Sequence, residues 1–95
     1  PRGTARFEDL EAWKHARVLT KRVYQITRTG GFSRDFGLVD QTHRAAVSVM
    51  GNIAEGYERA RPAEFIQFLR YAKGSCAELR SHLYVAANAG HISEQ

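Results

Sequence analysis

Apolar residues recur along this chain at steps of three and four, and no run alternates at steps of two, so the pattern predicts helices and no strands. The first helix is expected over about residues 8–28, where Ala12, Ala16, Leu19, Val23 and Ile26 form one stripe for burial. Glu8, Asp9 and Glu11 at its start and Lys21, Arg22 and Arg28 toward its end suit the helix dipole, and Gly30-Gly31 should stop it. Phe7, Leu10 and Trp13 fall off the stripe and are expected at a core edge. A second helix, about residues 36–59, carries two stripes: Leu38, Ala45 and Val49 beside Val39, Ala46, Met50, Ile53 and Tyr57. It must be covered from more than one side. Gly51 and Gly56 each cost about 1 kcal/mol relative to Ala in a helix interior. That points to backbones in close approach, with an early helix end at Gly56 as the alternative.

Arg61-Pro62 opens the third helix, about residues 62–89, because proline suits a first helical position. Its stripe of Phe65, Leu69, Ala72, Cys76, Leu79, Leu83 and Ala86 alternates steps of four and three without a miss. Cys76 therefore reads as core, with no Cys or His at a spacing that would make it a ligand. Asn88-Ala89-Gly90 should end this helix, and Ser93-Glu94 resembles the capped start of a further one. The expected fold class is all-α, an antiparallel helical bundle forming a single domain over residues 1–95. Three helices here carry more apolar surface than three can cover, so a fourth helix, a neighbouring subunit or both must supply the remaining layer.

Composition narrows the function. The chain has 95 residues, 43% hydrophobic and 25% charged, which excludes disorder and a multidomain protein. Fourteen Lys and Arg against ten Asp and Glu give a net charge of +4, which permits nucleic-acid binding without demanding it. One cysteine makes no internal disulfide. No stretch approaches the roughly 18–20 apolar residues of a membrane span, and the first residues lack the apolar centre of a signal peptide. A cytoplasmic address, with no membrane partner, is the expectation.

Polar residues interrupt the places where a core should be. Gln41, Arg44, Ser48, Asn52 and Glu55 form one line on the second helix, and Gly74, Ser75 and Glu78 break the apolar side of the third. Facing lines in a small bundle must satisfy one another. We expect a buried interhelical network built on Arg44 with Glu78 or Glu55, completed by Gln41, Ser48, Asn52 and Ser75. A ligand or phosphate site is the alternative reading of the same residues.

These residues also carry a resemblance. Gln41 to Ser48 with Asn52-Ile53-Ala54-Glu55-Gly56, and then Phe65 to Leu79, are similar to the two signature stretches of the four-helix bundle family also called 23S rRNA-intervening sequence proteins. Asp9-Leu10 and Ala12-Trp13 resemble the family's first helix. The resemblance implies an up-and-down four-helix bundle, a ring-like homopentamer and no catalytic activity. It also implies kinship with the basic accessory variability protein that partners reverse transcriptase in diversity-generating retroelements, and a connection to RNA. The chain departs from the family at its end, where the fourth helix should begin.

No catalytic set competes with this reading. His43 and Ser48 diverge around a helix, Glu78 and His82 have the wrong spacing for a carboxylate-bridged metal centre, and no glycine-rich loop follows a strand. We expect no enzyme activity, no cofactor and no metal. Lys14, Arg17 and Lys21 step by three and four along the first helix and Arg22 extends the row, making this the expected nucleic-acid face. Arg70, Lys73 and Arg80 on the third helix are the fallback. A protein scaffold that docks through its apolar faces is the competing function.

Overall fold

The computed structural model describes residues 5–93. Three long helices carry the fold: α1 (Glu11–Ile26), α2 (Phe36–Glu58) and α3 (Pro62–Asn88). They run up, down and up in a rod of 48 × 22 × 21 Å. Short 3₁₀ turns at Phe7–Asp9 and Phe32–Arg34 precede α1 and α2. Among the described residues there are no strands, so the all-helical expectation holds. No helix among them is long and apolar enough to cross a membrane.

Local chemistry sets each boundary. α1 stops at Ile26, two residues before the expected end, because Thr27 and Thr29 turn their hydroxyls back onto the carbonyls of Tyr24 and Ile26. Arg28 therefore lies beyond the helix and its last turn holds no cation. Asp35 caps α2, its Oδ1 accepting from the Leu38 amide at 3.4 Å. α3 ends where the sequence predicts. Gly90 adopts φ +80°, and the His91 and Gly90 amides bond the Ala86 and Ala87 carbonyls, closing a Schellman turn. The helix start expected at Ser93-Glu94 reaches Glu94, outside the described residues.

α2 is the shared element. It packs along α3 on one side and α1 on the other, whereas α1 and α3 hardly approach each other. Ala16, Val49, Ile53 and Ala72 form one buried cluster, with Leu10, Trp13, Leu69 and Cys76 half-buried around it. Val23, Ala45, Ala46 and Leu79 form the second. The small residues in these clusters let the helix axes come close. Every member of the α3 stripe from Phe65 to Ala86 is buried or half-buried. On α1, however, Ala12 and Leu19 are exposed, because the expected stripe is wider than the surface α2 covers.

The two glycines of α2 differ. A Cβ on Gly56 would stand 2.5 Å from the Phe68 Cβ, so this glycine marks a close approach of α2 and α3. Gly51 faces open space, and the expectation of a close approach there is not met within the chain. Replacing Gly56 with Ala should destabilise by roughly 1–3 kcal/mol through overpacking, whereas Gly51→Ala should stabilise by up to about 1 kcal/mol. Urea unfolding of the two variants checks both signs.

Candidate nucleic-acid interface

Charge is divided unequally among the helices. α1 holds four basic residues against one acidic, α2 one against three, and α3 three against two. Lys14, Arg17, Lys21 and Arg22 are all exposed. Lys14 Nζ lies 3.5 Å from Glu11 Oε2 in a solvated pair, and the Arg17 guanidinium sits 5.7 Å from the centre of the Trp13 ring. Lys21 and Arg22 have no hydrogen bond or ion pair among the described residues. Lys14, Arg17 and Lys21 share one face by their spacing, whereas Arg22 lies beside that row, in line with His15 and Leu19. A face whose cations are largely unneutralised is free to meet phosphates. The fallback residues Arg70, Lys73 and Arg80 are exposed on α3.

The expected polar network is smaller than its sequence line. Ser48 Oγ and Ser75 Oγ lie 2.8 Å apart, and Asn52 Nδ2 donates to the Ser48 carbonyl at 2.9 Å and to Ser48 Oγ at 3.0 Å. These three neutral groups join α2 to α3. Arg44 does not take part: its side chain is 74% exposed and its Nε donates to Asp40 Oδ2 at 2.9 Å. Gln41 is exposed as well, and Glu55 reaches Arg59 at 3.0 Å instead. Glu78 is exposed, with His82 as its neighbour at 3.9 Å. The physical reason is local. An Asp or Glu four residues away gives each Arg a solvated partner on its own helix, which avoids the cost of burying both charges.

Three contacts fall outside the sequence reading. His91 Nε2 lies 3.1 Å from Asp35 Oδ2 and its ring stacks on fully buried Phe32, so the end of α3 is clasped to the start of α2. Arg59 bridges the α2–α3 corner, bonded to Glu55, 3.9 Å from Glu64 and 5.0 Å from the Phe68 ring centre. His43 stacks on Tyr24 with ring centres 3.8 Å apart, and its Nε2 lies 2.8 Å from Thr27 Oγ1. Burial holds the His43 imidazole below its ordinary 6.5, against the opposing pull of Asp40. His82 Nε2 is shielded from water without a hydrogen bond, since Glu78 Oε2 is too distant for one. Among the described residues no group of three or more His, Cys, Asp or Glu is placed to hold a metal.

Ser48→Ala should cost about 1 kcal/mol, with a double-mutant cycle to Ser75→Ala showing coupling of about 0.5 kcal/mol or more. Arg44→Leu should shift stability by no more than about 1 kcal/mol. Urea midpoints measure all three. His43 gives a pH signature. Its folded pKa lies below the unfolded value, so its contribution is fully present above 6.5 and is lost as pH falls through the lowered folded value. Stability measured from about pH 8 down to about pH 5 should therefore fall less in His43→Gln than in the parent protein.

No curated protein and no solved structure matches the chain significantly. The model of one protein family does match, from residue 8 to residue 95, and it spans all three helices and both signature stretches. With the three-helix arrangement described above, that match places the chain in the family of 23S rRNA-intervening sequence proteins.

Proposed function

We propose that this protein is a non-enzymatic nucleic-acid-binding module that acts as a homo-oligomer, with the outer face of α1 as its binding surface. The observation that carries the reading is the concentration of exposed cations on α1, four against one acid, while α2 bears the opposite balance. Lys14, Arg17 and Lys21 make the row, and Arg22 adds a cation at its flank. The family description names a ribosomal RNA, which makes RNA the first polymer to test. A nucleic-acid enzyme such as a reverse transcriptase is the partner class that the resemblance implies.

Exposed apolar residues support the oligomer, Phe36 at 78% and Val18 at 69% among them. The pentamer is the number the family resemblance implies. Around a ring, weak phosphate contacts repeat and sum. A scaffold that docks another protein is the second reading, supported by the same apolar exposure.

Light scattering at micromolar concentration should return about five times the 10.7 kDa chain mass, and a value of one chain mass would contradict the oligomer. In a salt series with labelled RNA and DNA, changing Lys14, Arg17 and Lys21 together to Gln should weaken binding to all sequences alike. The slope of log affinity against log salt should fall by roughly 2–3. Unchanged affinity and slope would move the surface to Arg70, Lys73 and Arg80. Absence of binding by the parent protein at low salt would favour the scaffold.

A further inference from the structure

Lys14, Arg17, Lys21, Tyr24 and Arg28 follow one another at steps of three, four, three and four, so an aromatic side chain stands within the cation row of α1. Tyr24 is 39% exposed even though it packs against α2. Its ring lies on the His43 ring, with centres 3.8 Å apart and planes 16° from parallel. His43 is fixed in turn by buried Thr27, whose Oγ1 lies 2.8 Å from its Nε2. The outer ring of this pair is thus held at a set angle while still meeting water.

The charges around the pair favour an anion. Lys21 and Arg28 flank Tyr24 along the chain, are exposed and have no ion pair among the described residues. Asp40, the acid three residues before His43 on α2, is already engaged by Arg44 at 2.9 Å. Helical spacing also sets Tyr24 well away from Ala12 and Leu19, which line the apolar groove between α1 and α3. The groove and the Tyr24 flank are therefore separate surfaces.

We propose that Tyr24, backed by His43, is a stacking platform for one unpaired base, which makes the α1 face a site for single-stranded nucleic acid in preference to duplex. The inference rests on the nucleic-acid reading of Lys14, Arg17 and Lys21 and adds a contact that charge alone does not supply. A base in a single strand can turn a free face to an aromatic ring while its phosphates meet cations on either side. In a duplex those faces are covered by neighbouring base pairs, so only the cations engage it. Every base has such a face, so the platform brings no sequence preference.

Three probes separate stacking from charge: a mixed-sequence single-stranded RNA of roughly 12 nucleotides, the same strand in a duplex, and an equally long abasic strand. The parent protein should bind the RNA strand roughly fivefold or more tighter than the abasic one. Tyr24→Leu, which keeps an apolar side chain against α2, should remove that advantage. Its affinity for the abasic strand and the duplex, and its salt slope, should stay those of the parent, and Tyr24→Phe should retain the advantage. Equal affinity of the parent for the RNA and abasic strands overturns the proposal without any variant. An equal loss on all three probes in Tyr24→Leu, or a loss on none, does the same. In those cases binding that still weakens when Lys14, Arg17 and Lys21 become Gln leaves the nucleic-acid reading standing. A Tyr24→Leu protein whose mass by light scattering differs from the parent's puts Tyr24 in a subunit contact and also overturns the platform. If the parent binds none of the probes at low salt, the platform and the nucleic-acid reading fall together.

Discussion

The close approach of α2 and α3 at Gly56 is the contact on which the rest of the structure depends. Phe68 stands where a side chain on residue 56 would have to go, so only glycine allows the two helices to meet there. From that point the pair runs antiparallel through the Ser48–Ser75 contact. Alanines at 45, 46 and 72 keep the layer thin. α1 joins later in this hierarchy, since it packs against α2 from one side and barely meets α3. The exposed outer face of α1 carries cations, and an apolar groove remains between α1 and α3 over Val49 and Ile53.

Polar chemistry inside the seam is neutral, and charge stays at the surface. Ser48, Asn52 and Ser75 satisfy one another at hydrogen-bond distance, which specifies the register of α2 on α3 without the desolvation of an ion pair. Arg44 and Arg59 use carboxylates four residues away on the same helix and remain solvated. The bundle is closed at one end by Asp35, which caps α2 with one oxygen and holds His91 with the other. That arrangement couples the start of α2 to the end of α3 through one carboxylate.

Much of the fold was legible because helical periodicity reports burial directly. Every residue of the α3 stripe from Phe65 to Ala86 is buried or half-buried, although Phe68, Ser75 and His82 are half-buried outside it, and Pro62 and Gly90 marked the helix ends. Gly56 and Gly51 look alike in sequence and differ in space, since helix propensity says that a glycine is costly but not what lies opposite it. The Arg44–Glu78 pair was misread because a line of polar residues does not show which side of the seam each occupies. Asp40, at i−4, was the available signal. The Asp35–His91 clasp joins residues 56 positions apart, and no local pattern could announce it. On the candidate interface, spacing puts Lys14, Arg17 and Lys21 on one face of α1 with Arg22 beside it, and all four are exposed.

The dependence of the fold on the α2–α3 pair is tested most directly by hydrogen exchange of backbone amides in the native protein. The amides flanking Gly56, Ser48 and Ser75 in α2 and α3 should open only with global unfolding, while those of α1 should exchange through a smaller, separate opening. Protection of α1 equal to that of α2 and α3 would contradict the account, because a helix held from one side would then be as firmly fixed as the pair that holds it.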